Sequence, residues 1–172
     1  AESKGTKVFC VSGNVNKTGI YEVPLGITLR ELVFDLAGGM KDGFDFKGAL
    51  LGGAAGTFAN ETILDLPLVY ETLKEEGLTL GSGAVIIIDD KTDLKMMMTS
   101  ILSFFKHESC GKCVPCRIGT ALLYNEIKKP DFSSVNFDFM LSEAKYMAEN
   151  SLCPLGQSPI LPIRSFVKFF KK

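Results

Sequence analysis

The chain has 172 residues, enough for one ordinary domain or two small ones. Its apolar fraction is 46%, yet the longest unbroken apolar run, Ala84 to Ile88, is five residues, which excludes a membrane-spanning helix. Net charge is −1, but residues 1–92 carry eight Lys/Arg against thirteen Asp/Glu, and residues 93–172 carry eleven against seven. That split marks a domain boundary near Asp89–Asp93. The lysines of the basic half are scattered and its aromatic residues fall at core-like spacing, which argues against nucleic-acid binding. With free cysteines and no basic start followed by an apolar segment, the expected compartment is a reducing cytoplasm.

Residues 1–6 read as a linker or frayed terminus. Val8-Phe9-Cys10-Val11 and Gly19-Ile20-Tyr21-Glu22-Val23 are strand candidates joined as a hairpin or near-hairpin. Thr28 and Glu31 make a capping box for a helix whose apolar face is Leu29, Leu32, Val33 and Leu36, ended by Gly38-Gly39. Phe46 to Leu51 is a third strand. The glycine-rich Gly52–Gly56 loop after it matches no phosphate-binding spacing and reads as a close approach of two backbones. Asp65-Leu66-Pro67 is expected to start a short helix through about Lys74, and Ala84 to Ile88 to form a buried strand. Cys10, mid-strand, reads as a small core hydrophobe. This half is a small mixed α/β domain.

From Asp93 the period becomes helical. Leu94, Met97, Met98, Ile101, Leu102 and Phe105 mark a first helix capped by Thr92 or Asp93, with His107 at its end. Cys116 is expected to open a second helix carrying Ile118, Ala121, Leu122 and Ile127. A third carries Phe137, Met140, Leu141, Ala144, Met147 and Ala148. A fourth comes after Ser158-Pro159 with Ile160, Ile163, Phe166, Val167 and Phe170. Four amphipathic helices with short connections predict a four-helix bundle over 92–172.

The cysteines carry the chemistry. Cys110, Cys113 and Cys116 recur at two-residue intervals, and Cys153 lies 37 positions later. Three thiolates from one tight loop and a fourth from a distant segment suit a [4Fe–4S] cluster. In an up-down bundle the loop between helices one and two and the turn between three and four share an end, which brings Cys153 to the other three. Two alternatives stand beside the cluster: a zinc site using Cys110, Cys113 and Cys153, and thiol–disulfide chemistry. Gly111 lets backbone approach inorganic sulfur, and Ser109, Lys112 and Arg117 flank the ligands, where cations favour the more negative reduced state.

Glu108-Ser109-Cys110-Gly111-Lys112-Cys113-x-Pro115-Cys116-Arg117-x-Gly119-Thr120 and Ser151-Leu152-Cys153-x-Leu155-Gly156-Gln157 resemble the C-terminal part of the NADH-binding flavoprotein subunit of respiratory complex I. They also resemble the β subunits of NAD-dependent formate dehydrogenases and NAD(P)-linked electron-bifurcating [FeFe] hydrogenases. Upstream, Lys7 to Val15, Val23 to Leu32, Gly52-Gly53, Asp65 and Gly81-Ser82-Gly83 are similar to that family's ubiquitin-like SLBB domain. The resemblance implies an α+β chain: an SLBB-like domain over 7–91, then a [4Fe–4S]-binding four-helix bundle over 92–172. It implies an electron relay, not catalytic alone, between FMN and the iron–sulfur clusters of partner subunits, peripheral to a membrane complex or free of one. The family's FMN- and NAD(H)-binding Rossmann-like domain has no counterpart here, so flavin and nicotinamide are expected only through a separate domain or subunit, the chain being a fragment, cleaved remnant or split subunit. Val114 and Ile118 stand where the family often has Thr and Glu. The rival class is a non-redox interaction module with structural zinc.

Overall fold

A computed structural model describes residues 3–171. The chain forms two compact units, residues 1–92 with 169–172, and residues 93–168.

The first unit is built on a five-stranded sheet: β1 (Thr6–Ser12), β2 (Gly19–Pro24), β3 (Phe46–Leu51), β4 (Thr57–Asn60) and β5 (Ala84–Asp89), in the order β2-β1-β5-β3-β4. β1 pairs antiparallel with β2 and parallel with β5, while β3 pairs antiparallel with both β5 and β4. The short β4 gives no sequence signal because Thr-Phe-Ala-Asn has no alternation to betray it. Strand pleating decides which β1 residues are inside. Phe9 and Val11 are buried against the core that also holds Leu29, Leu32, Val33, Leu73 and Ile87. Cys10 therefore points the other way and is exposed, contrary to its expected place in the core.

The capping box forms as expected. The Glu31 amide donates to Thr28 Oγ1 at 3.1 Å, and the Thr28 amide donates to Glu31 Oε2 at 2.8 Å. The helix it opens is not α-wound throughout. Residues Glu31–Leu36 are π-wound, and the Ala37 amide bonds the carbonyl five residues back, at Leu32, at 3.0 Å. The wider turn moves Ala37 into the core at 0% exposure and leaves Leu36, expected on the apolar face, 37% exposed.

The expected helix from Asp65 is also replaced. A 3-10 turn spans Glu61–Ile63, Pro67 bridges to Thr28, and α1 begins only at Tyr70 (Tyr70–Glu75). Proline lacks the amide a helix interior needs, and the bridge is held by the neighbouring Leu68 amide, which donates to the Ile27 carbonyl at 2.8 Å. The glycine loop does bring two backbones together: a Cβ on Gly81 would lie 2.7 Å from Gly52 Cα, and both glycines have positive φ.

Asp89 closes β5. It is 3% exposed and accepts from Asn14 Nδ2 at 2.7 Å, the Lys91 amide at 2.9 Å and Thr92 Oγ1 at 3.0 Å. Burial pushes its pKa up, but these hydrogen bonds outweigh burial and hold it below the ordinary carboxylate value. A depressed folded pKa stabilises above the unfolded value, about 4, and that contribution disappears as pH falls through the folded value. Asp89→Ala is expected to cost about 1–3 kcal/mol at neutral pH by orphaning its donors, and less once pH falls through the folded carboxyl's lowered value, as denaturant unfolding over a pH series will show.

The second unit is helical: α2 (Leu94–Glu108), α3 (Val114–Ile127), α4 (Phe137–Asn150), the short α5 (Pro154–Gln157) and α6 (Ile160–Phe170), which ends in the first unit's residues. Asp93 caps α2, its side chain accepting from the Met96 amide at 2.9 Å. Met98, Ile101, Leu102 and Phe105 are buried on α2, and Phe137, Met140, Ala144 and Met147 on α4. The Phe137 and Phe166 rings stack at 5.6 Å.

The phase of α3 differs from expectation. Ile118 and Leu122 are 48% and 39% exposed, while Cys116, Gly119, Thr120, Leu123 and Ile127 face inward. Apolarity alone does not set the phase, although Ile127 is buried as expected. A Cβ on Gly119 would lie 2.4 Å from Met147 Sδ, so the small face of α3 is the one that packs on α4. Among the described residues no helix is long and apolar enough to cross a membrane.

Candidate metal centre

Three segments of the helical unit converge: the loop after α2, the first turn of α3, and residues 151–157 around α5. Ser109 ends α2, and Gly111, at φ +75°, turns the chain back. Arg117 holds that turn by donating from Nη1 to the Gly111 carbonyl at 2.6 Å. α3 starts at Val114, two residues before the expected Cys116, because Pro115 with its fixed φ suits a first turn. Cys113 is thus the residue before the helix, and Cys116 lies inside its first turn.

Cys153 repeats the arrangement. It precedes Pro154 and α5 in extended conformation, and like Cys113 its side chain makes no cap hydrogen bond. The α5 turn differs from the sequence expectation, although Cys-Pro is a signal for it. Residues 151–157 are fastened by Gln157, whose Nε2 donates to the Ser151 carbonyl at 2.9 Å, and by the Ser151 amide bonding Met147 O at 2.9 Å.

The sulfurs sit in contrasting surroundings. Cys116 is 4% exposed, while Cys110 and Cys153 are exposed and Cys113 is half-buried. Burial pushes the Cys116 thiol up, Ser109 Oγ at 3.3 Å opposes this, and the neighbouring Cys113, Cys153 and Cys110 raise it further. The other three thiols therefore all lie within electrostatic reach of Cys116. Cys113 goes the other way. The Leu152 amide, then the Cys116 amide, donate to its sulfur and lower its pKa.

Among the described residues, no group of three His, Cys, Asp or Glu side chains could hold a single metal ion. A lone zinc draws its sulfurs to about 2.3 Å from one centre. A cubane spreads four thiolates over four separate irons at the corners of a wider tetrahedron. One buried polar atom fits the same group: Ser151 Oγ has no hydrogen-bond partner among the described residues. Lys112 is exposed, and His107 is exposed at the end of α2.

Residues 96–172, which include all four of these cysteines, match the family described as the NADH-ubiquinone oxidoreductase-F iron-sulfur binding region. Residues 8–54 match the SLBB domain. The chain carries an oxidoreductase-F iron–sulfur region behind an SLBB domain. It is 38% identical over 173 residues to the HndC subunit of the NADP-reducing hydrogenase of Solidesulfovibrio fructosivorans, covering 99% of this chain and 35% of that protein. It is 37% identical over 172 residues to an F-type subunit of the NADH-quinone oxidoreductase of Rhizobium meliloti, covering 98% of this chain and 41% of that one. The fold of an NAD+-reducing [NiFe]-hydrogenase in its air-oxidized state is similar at TM-score 0.83 and 29% identity, over 99% of this chain and 29% of that chain. The iron–sulfur region and SLBB domain thus span well under half the length of these relatives. The SLBB match takes in β2, β3 and most of β1, and the iron–sulfur match takes in Cys110, Cys113, Cys116 and Cys153.

Proposed function

We propose that Cys110, Cys113, Cys116 and Cys153 ligate one [4Fe–4S] cluster, and that the chain is the single-electron relay module of an NAD(H)-linked oxidoreductase complex. The observation that carries this is the convergence of four cysteines, none in a disulfide, from two segments, with Cys113, Cys153 and Cys110 all within electrostatic reach of Cys116. Such a cluster supplies a one-electron couple. The protein's own residues do the rest. Amides of Leu152 and Cys116 favour a thiolate at Cys113, Ser109 donates toward Cys116, and Arg117 fixes the loop that carries Cys110 and Gly111. Lys112 and Arg117 add positive charge beside a four-thiolate site and would raise the reduction potential.

We read residues 7–91 as the SLBB domain and 92–172 as a four-helix bundle formed by α2, α3, α4 and α6. The partners would be a flavin- and NAD(H)-binding domain or subunit that delivers electrons, and iron–sulfur subunits that take them. A two-electron hydride carrier can feed a one-electron centre only through a group, such as FMN, that passes electrons singly.

Anaerobic reconstitution with iron and sulfide is expected to yield about four irons per chain, a broad visible band and a reduced-state EPR signal. Stoichiometric zinc without iron would overturn the relay reading. In the assembled complex, stopped-flow mixing with NADH should show cluster bleaching on the timescale of turnover. A flavin that reduces while the cluster stays oxidised would remove its place in the path.

A further inference from the structure

Ser151 is the residue of the centre that the relay leaves without a role. Its side chain belongs to a residue 7% exposed, and its Oγ finds no hydrogen-bond partner among the described residues. A buried hydroxyl left in that condition costs free energy unless some group is meant to receive it. Its backbone is already committed, the amide to Met147 and the carbonyl to Gln157. The direction of the hydroxyl is set by Gly156: a Cβ built there would meet Ser151 Oγ at 2.5 Å and Cys116 Cβ at 2.8 Å. The hydroxyl thus lies in the wedge between the α5 turn and Cys116, two residues before Cys153.

We propose that Ser151 is a positioning residue whose O–H donates to sulfur of the bound cluster and raises its reduction potential. This rests on the cluster proposed for the four cysteines. A donor to sulfur stabilises the added negative charge of the reduced state more than the oxidised state. One electron enters from an external reductant, no bond forms or breaks, and the hydroxyl keeps its proton.

The test uses the full chain, reconstituted anaerobically, in redox titrations followed by visible absorbance and EPR. Ser151→Ala should assemble with native iron and sulfide but shift its midpoint to more negative values. The expected size is about tenfold in the reduced-to-oxidised ratio at fixed potential, or about 59 mV for a one-electron couple. Ser151→Thr, which keeps the hydroxyl, should restore the native midpoint. Resonance Raman spectra should show iron–sulfur stretching bands that shift in D2O for the native chain, and less so for Ser151→Ala. If Ser151→Ala does not assemble, Ser151→Cys, of similar size and a weaker donor, should fall between. A native midpoint and an unchanged isotope response in a fully loaded Ser151→Ala or Ser151→Cys would overturn the assignment. Failure of the native chain itself to take up iron would instead count against the cluster.

Discussion

Replacing any one of Cys110, Cys113, Cys116 or Cys153 with alanine is expected to drop iron well below about four atoms per chain, and to lower the unfolding temperature of the helical unit. The proposed ligands come from two segments, one ending in the first turn of α3 and the other following α4, so cluster binding would tie together parts otherwise joined only by packing. Binding free energy is then folding free energy. Cys116→Ala should be the most damaging, because that thiol is 4% exposed and its loss also opens a gap beside Ser109 and Gly156. Cys10→Ala is the control. Since Cys10 is exposed on β1, the change should stay within about 0.5 kcal/mol and leave iron untouched. Iron analysis with thermal melts under anaerobic conditions decides it. If Cys153→Ala kept its full iron while Cys10→Ala lost it, the ligand assignment would be wrong.

Gly156→Ala is the second large effect. The new methyl would sit 2.5 Å from Ser151 Oγ, 2.6 Å from Ser151 Cβ and 2.8 Å from Cys116 Cβ. Neither neighbour has a long side chain that can swing aside, and both belong to the segments that bring the cysteines together. Overpacking of this kind costs about 1–3 kcal/mol, or roughly 2–4 °C of melting temperature per kcal/mol in a chain of this size. The α5 turn and α3 would be forced apart, so iron uptake should fall as well. Gly19→Ala, where a Cβ meets nothing within 4 Å and φ is ordinary, should be near neutral. A Gly156→Ala protein with native melting and full iron would show that the α5 turn does not pack on Cys116.

The charge of the chain divides along the same line as its chemistry. The SLBB-bearing residues are acidic and the iron–sulfur region is basic, with eleven Lys/Arg against seven Asp/Glu over 93–172. Positive surroundings lower the cost of holding an anionic four-thiolate centre. Their effect on the sulfurs is indirect in the structure: Arg117 donates to the Gly111 carbonyl, while it is Ser109 Oγ that lies 3.3 Å from the Cys116 sulfur.

What the sequence determined by itself is what local chemistry decides. The cysteine spacing, the Thr28–Glu31 capping box, the Asp93 cap, β3 and β5 all depend on a few adjacent residues, and each is legible without a fold. The SLBB and iron–sulfur motifs are equally readable, since their signatures lie in contiguous runs. The tertiary structure decided the rest. β1 pairs parallel with β5 across more than seventy intervening residues, and no local pattern encodes that partner. The π winding at Glu31–Leu36 swaps Leu36 for Ala37 because the core accepts the smaller side chain there. α3 turns its small residues inward because Met147 of α4 leaves room only for Gly119. Cys10 faces outward because strand pleating assigns Phe9 and Val11 to the core, and one face cannot hold three consecutive residues. Ser151 became visible only once α5 folded against Cys116, for an orphaned hydroxyl is a property of its neighbours and not of the serine.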